Sequence, residues 1–195
     1  MADTGWTSPA SVAEINIGAG VVSWSGTLVA ETLTGTLIDN TTGAYVDAGA
    51  GDITEALRFR NFAWATPIPS SGITLSGIET RCRCYGSAGH DFIYNYHRLV
   101  LSAALIGTDQ SVATEIGTTA SFQVLGSSID LHGWAANKTD LDDSTFGFQI
   151  AFEDDASGAD EMYVEFFQAK VHWTVEPPAG PTVPTATGNF HTLFN

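Results

Sequence analysis

The segment Tyr163 to Val175 alternates with a period of two. Phe167, Ala169, Val171, Trp173 and Val175 fall on one face; Gln168, Lys170, His172, Thr174 and Glu176 fall on the other. Successive strand side chains point to opposite sides of a sheet, so this pattern suits a long antiparallel strand with one apolar and one wet face. A helix would scatter the same residues around its circumference. Thr145 to Glu153 repeats the pattern, with Phe146, Phe148, Ile150 and Phe152 on one side and Gly147, Gln149 and Ala151 on the other. The polar run Glu153 to Asp160 separates the two, and a hairpin with a long acidic loop is expected.

The same reading extends upstream. Ile78, Thr80, Cys82 and Cys84 share a face opposite Glu79, Arg81, Arg83 and Tyr85. A second strand is expected over Tyr96 to Ile106, with Leu99, Leu101, Ala103 and Leu105 together and Gly86 to Gly89 opening the connection. Ala56 to Phe62 reads as a strand stopped by Pro67-Ile68-Pro69, and Phe122 to Leu125 as a short one. Weaker strand signals lie at Val21 to Ser25, Thr27 to Leu33 and Ala44 to Val46. The one helix-like piece is Thr139 to Ser144, a single turn for Thr139 to cap. Many short strands at close spacing predict an all-β chain, an antiparallel β-sandwich or jelly roll. Residues 1–54 read as an N-terminal segment with strands, part of the sandwich or an assembly arm. Residues 55–176 read as the sandwich core. Residues 177–195 begin Pro177-Pro178 and read as an extended Pro-rich C-terminal arm, which cannot join a sheet centrally. Phe190, Leu193 and Phe194 at its end are expected to be interface anchors.

Charge then narrows the partners. Lys and Arg number 7 against 22 Asp and Glu, a formal net charge of -15. Such a surface repels a phosphate backbone and an anionic bilayer, which argues against nucleic-acid and membrane partners. Met1 to Trp6 shows neither a basic n-region nor an apolar h-region, so no secretory signal is expected. An apolar fraction of 44% argues for a packed core rather than disorder.

No side-chain constellation in the sequence specifies a reaction. Cys82 and Cys84, two apart on a strand, sit at the far edge of disulfide geometry and read as small hydrophobes of one face. Asp140, Asp142 and Asp143, and Glu153, Asp154, Asp155, Asp160 and Glu161, form two oxygen-rich clusters. They read as solvated loops, with Ca²⁺ binding as the alternative. His90, His97, His132, His172 and His191 lack zinc-site spacing and read as surface or interface residues. No nucleophile elbow, Walker loop or dinucleotide fingerprint occurs. No catalytic residue, metal ligand or cofactor is assigned. All five Arg lie between positions 58 and 98. Arg58 and Arg60 share one strand face, and Arg81 and Arg83 another. If those strands pair they form one basic stripe, either neutralised by Glu55 and Glu79 or meeting the acidic surface of another molecule. Among the Trp residues, Trp134 follows Gly133 in a loop and is the one expected to be exposed, as a sugar-stacking ring would be.

Three stretches carry a resemblance. They are Ile73-Thr74-Leu75-Ser76-Gly77-Ile78-Glu79-Thr80-Arg81; Asp130-Leu131-His132-Gly133-Trp134 followed by Thr139-Asp140-Leu141 and Phe146-Gly147-Phe148; and the closing strand Met162 to Val175. In this order, over roughly residues 55–176, they resemble a β-sandwich module common in structural proteins of tailed bacteriophages. The resemblance implies a non-enzymatic component of the virion, assembled in the host cytoplasm, with no catalytic set to carry over. Its expected work is capsid decoration, as a cement protein bound to copies of itself and to the major capsid protein. The alternatives are a tail or baseplate protein, or a module that binds a host-surface carbohydrate.

Overall fold

A computed structural model describes residues 1–18, 21–24, 53–86, 92–154 and 162–177. Among these residues lie eleven strands and one short helix: β1 (Ala2–Asp3), β2 (Pro9–Ile15), β3 (Val21–Val22), β4 (Ile53–Thr54), β5 (Ala56–Phe62), β6 (Ile73–Gly86), β7 (Phe92–Leu101), β8 (Ala104–Ile106), β9 (Ser121–Ser127), α1 (Lys138–Leu141), β10 (Gly147–Asp154) and β11 (Met162–Val175). The expected strands at Thr27–Leu33 and Ala44–Val46, the Gly86–Gly89 connection beyond Gly86, the acidic loop at 155–161 and the arm at 178–195 lie outside the described residues.

The strands form two sheets. Sheet A has the order β1-β11-β6-β9. In sheet B, β10 is flanked by β5 and β4 on one side and by β7 on the other; β2 lies beyond β5, β3 beyond β4, and β8 beyond β7. Among the described strands all pairings are antiparallel except β3 with β4. The sheets pack face to face, as the alternation requires. Phe59 of β5 stacks on Phe167 of β11 at 4.1 Å between ring centroids and 2° between planes. Phe148 of β10 meets both Phe62 and Phe167. Ile78, Cys82, Cys84, Ala169 and Val171 complete the inner face of sheet A. Both cysteines are free and buried, as small hydrophobes of one face.

Three expectations about connectivity are corrected. The Thr145–Glu153 and Tyr163–Val175 strands do not form a hairpin: β10 belongs to sheet B and β11 to sheet A. Each buries its apolar face against the other sheet, and alternation is identical for that arrangement and for a hairpin. The expected strand over 96–106 is a two-residue hairpin, in which Leu101 faces Ala104 across Ser102 and Ala103. Both turn residues have positive φ, 49° and 70°, the geometry that a tight hairpin requires. Leu105 is therefore exposed rather than inward. Thr139 does not cap the helical turn. Asn137 does, its side chain accepting from the Asp140 N–H at 2.9 Å.

The N-terminal segment runs along one flank and joins the sheets. Ala2 and Asp3 pair with Trp173 and His172 of sheet A, Thr7 bridges Ala169, and β2 pairs with β5 of sheet B. The buried Thr4 Oγ1 accepts from the Val171 N–H at 3.0 Å. At the opposite flank the stretch from Ser127 to Trp134 tucks in. Ile78 N–H donates to the Asp130 carbonyl at 2.9 Å, and Thr108 N–H to the His132 carbonyl at 2.6 Å.

Candidate functional site

The outer face of sheet A collects rings and cations. The β6–β9 register sets Arg83 beside Phe122 and Arg81 beside Val124; the β6–β11 register sets Arg81 beside Gln168 and Glu79 beside Lys170. The Arg81 guanidinium carbon lies 4.4 Å from the Trp6 ring centroid and 4.7 Å from that of Phe122, so the planar cation sits between two rings. Lys170 Nζ lies 4.5 Å from the Trp6 ring and 2.8 Å from Glu79 Oε2. Arg83 pairs with Glu165. Arg81 Nε donates to Gln168 Oε1 at 2.8 Å. Burial lowers the Arg81 guanidinium from its ordinary value. Phe122 and Val124 are 46% and 54% exposed, and Ile129 at the turn after β9 is 78% exposed. Trp6 had no motif around it; only the pairing of β1 with β11 brings its ring over this face.

The expected single basic stripe does not form. Phe59 points into the core, so Arg58 and Arg60 face outward from sheet B, while Arg81 and Arg83 face outward from sheet A. The strands that carry them lie in different sheets, and the two pairs occupy opposite outer faces. Arg58 sits in a row with Gln149 and Arg98. Its Nε donates to Gln149 Oε1 at 2.6 Å, and the Gln149 amide donates to the Tyr96 hydroxyl at 2.6 Å. Burial, and then the Arg60 charge, lower the Arg58 guanidinium. Glu79 does neutralise a cation, but that cation is Lys170.

Trp134 is half-buried rather than exposed. Its ring stacks on Phe146 at 5.6 Å and 18°, and packs against the core. Gly133 is fixed at φ +64°, where a Cβ would press on the Thr108 methyl at 2.8 Å. At Gly147 a Cβ would run into the Phe59 carbonyl, so β5 and β10 approach there only because the position is glycine. A groove of about 480 Å³ runs between Pro69–Leu75 and Leu131–Lys138, with Ile73, Leu75 and Leu131 among its apolar lining residues. The tail residues Phe190, Leu193 and Phe194 lie outside the described residues.

The histidines contradict their expected surface placement. His97, His132 and His172 are all buried, at 1%, 0% and 5% exposure; His90 and His191 lie outside the described residues. The His172 face of β11 is thus not wet at that position; Nε2 of His172 lies 3.3 Å from Glu79 Oε1. His97 and His132 come together between the sheets with ring centroids 5.7 Å apart. His97 Nε2 meets Thr80 Oγ1 at 2.9 Å, and His132 Nε2 donates to the Ile78 carbonyl at 3.1 Å. Neither Nδ1 has a partner among the described residues. Burial, with His132 beside it, pushes His97 down to about 3, and burial lowers His132 as well. Both rings are therefore neutral near pH 7.

Acids are likewise tied to local structure. Asp142 pairs with Lys138, Asp140 accepts from Asn137, and Asp143 Oδ1 accepts from the Thr145 N–H at 2.7 Å, which holds its carboxyl below the usual range. Among the described residues no group of three or more His, Cys, Asp or Glu could hold a metal ion. One carboxyl pair was not foreseen: Glu14 and Glu55 meet where β2 passes the start of β5. Glu14 accepts from the Trp24 N–H at 2.6 Å, and Glu55 from the Asn16 amide at 2.7 Å. Burial and the Glu55 hydrogen bond raise Glu14. No family model matches the chain, and neither a curated protein nor a solved structure matches it.

Proposed function

We propose that this chain is a non-enzymatic structural protein of a tailed-phage virion, placed on the head surface as a decoration or cement protein. The observation that carries the proposal is the flank of sheet A, where exposed Phe122 and Val124 stand beside Arg83 and Arg81, with exposed Ile129 in the turn that follows, on a chain of net charge -15. An apolar strip rimmed by the opposite charge to the rest of the body suits a protein–protein contact with a larger acidic or apolar lattice. The phage-module resemblance of residues 55–176 supports the same reading. Within it the sandwich is a jelly roll, and residues 177–195 are the arm that carries Phe190, Leu193 and Phe194 to a neighbour. Arg58 and Arg60 offer a second contact on the opposite face. The carbohydrate alternative draws less support, because the Trp134 ring is stacked on Phe146.

The test is immunogold labelling of intact particles from the source culture, with an antibody against the chain. Label spread over the head is the expected result. Label confined to the tail moves the protein to the tail or baseplate. Particles that stay unlabelled and lack the chain by mass spectrometry overturn the virion reading.

A further inference from the structure

We propose that the groove between residues 69–75 and 131–138 is the seat of this chain's own C-terminal segment, with Phe190, Leu193 and Phe194 as its anchors. The proposal does not rest on the virion reading. Where that reading sends the arm to a neighbour, the groove holds it in the unassembled chain.

The groove opens one end of the sandwich. Ile73, Leu75 and Leu131 line it and also pack against the core. Val175 pairs with Ile73 across the β6–β11 ladder and lies two residues beyond buried Trp173, so it shares the inward face of that ring. It is nevertheless 73% exposed. An inward apolar side chain left uncovered beside an apolar groove of about 480 Å³ marks a core that is one piece short.

The points where the undescribed stretches leave the sandwich select the occupant. The internal ones, 19–20, 25–52, 87–91 and 155–161, leave and return at the other end. There Val21 pairs with Ile53, Ile53 with Glu153, Phe92 with Asp154 and Met162 with Gly86. The Trp24 ring meets Phe152 there, and Tyr94 meets Cys84 between the sheets. Gly86 lies roughly 40 Å along β6 from Ile73, so an internal stretch would have to cross the sandwich and come back. Residues 178–195 alone leave from the groove end. Glu176 N–H donates to the Gly72 carbonyl at 2.8 Å, and the Thr74 hydroxyl donates to the Glu176 carboxylate at 3.0 Å. Composition agrees with that seat. On a chain of net charge -15, residues 178–195 contain no Asp, Glu, Lys or Arg, so they enter an apolar groove without burying a charged side chain. The chain can also reach. The Pro-rich residues 177–184 span roughly 25 Å in an extended PPII form. Residues 185–195 span roughly 35 Å extended, enough to return. A tether of this length holds the anchors at an effective concentration of the order of mM, which a second copy in dilute solution does not match.

The test places a nitroxide on Thr192→Cys in the full chain; Cys82 and Cys84 are buried and should stay unlabelled. NMR amide signals of residues 70–75 and 131–138 should broaden, while those of Ile53, Phe92 and Met162 stay sharp. A mixture in which the nitroxide and the observed amides sit on different copies should show no broadening. Replacing both anchors, Phe190→Ser with Phe194→Ser, should cut the broadening about tenfold, since two buried rings supply at least that factor in occupancy. A second label position, Thr187→Cys, guards against a nitroxide that itself blocks the seat. Groove amides that stay sharp with either label, broadening that requires a second copy, or broadening that survives the double Phe replacement overturns the proposal.

Discussion

Along one flank of the sandwich the N-terminal segment covers the edges of β11 and β5. The N-terminal segment pairs with β11 and then with β5, so a single stretch of backbone ties sheet A to sheet B. Along the other flank sheet A stops at β9, and among the described residues the sheets are joined there through the 127–134 stretch packed under Ile78 and Thr108. The first flank is held mainly by ladder hydrogen bonds, which tolerate many side chains. The second depends on close approach and on two buried imidazoles, so its sequence requirements are sharper. The same sandwich thus has a flank that is robust, and one that is exacting and at which no described strand lies beyond β9.

The exacting flank should fail first. Gly126 has φ +79°, and a Cβ there would meet the Ile78 carbonyl and, at 2.7 Å, the His132 ring nitrogen. Gly126→Val combines backbone strain with overpacking and should cost about 4 kcal/mol, read as a large drop in melting temperature. Gly117, where a Cβ meets nothing within 4 Å, is the control: Gly117→Ala should stay within about 0.5 kcal/mol. Equal losses at the two positions would break the contrast.

Acid should attack the same flank. His97 is pushed down to about 3 in the folded chain, from an ordinary value of 6.5. The unfolded chain therefore takes up the proton first. The neutral ring's contribution is fully present above pH 6.5 and is lost as pH falls from there toward 3. Between pH 7 and pH 5 the loss should be about 2 kcal/mol, with a further share from the lowered His132. His97→Gln, measured by denaturant melts at both pH values, should flatten the slope. An unchanged slope would show that the buried pair is not its source.

At the closed flank a comparable change should cost less. Thr4→Val leaves the buried Val171 N–H without its acceptor, and a loss of about 1.5 kcal/mol is expected in the same melts. A loss larger than that of Gly126→Val would reverse the ranking of the flanks.

How far the sequence foretold this arrangement depends on what each pattern encodes. Alternation assigns inside and outside, so the span of β5 and the inward Phe167, Ala169, Val171 and Trp173 of β11 were legible, whereas Gln168 and His172 of the face read as wet are buried and Val175 of the apolar face is 73% exposed. It is silent on partners. β10 and β11 are neighbours in the chain yet lie in opposite sheets, and so the Arg pairs separate. The β7–β8 turn escaped notice because Ser102 and Ala103 are not the residues that usually adopt positive φ. The histidine pair escaped because His97 and His132 are remote in sequence, and each alone looks like a polar surface residue. Trp6 carried no motif, and its place over Arg81 follows only from the N-terminal pairing.

Arg81 spans the comparison. Its guanidinium contacts Trp6 from the closed flank and Phe122 from the open one, across the outer face of sheet A. Arg81→Lys keeps the charge but removes the plane that lies against two rings, as well as the Nε donor to Gln168. The side chain is only partly buried, so a loss of about 0.5–1 kcal/mol is expected, the smallest of the destabilising changes. A double-mutant cycle gives the measurement its meaning. Coupling of Arg81 to Trp6 should appear in the monomer, since both belong to one folded face. Coupling of Arg81 to Phe122 should appear as well, because the same guanidinium lies over that ring. Coupling to Trp6 without coupling to Phe122 would confine Arg81 to the closed flank and would show that the open flank draws nothing from this cation.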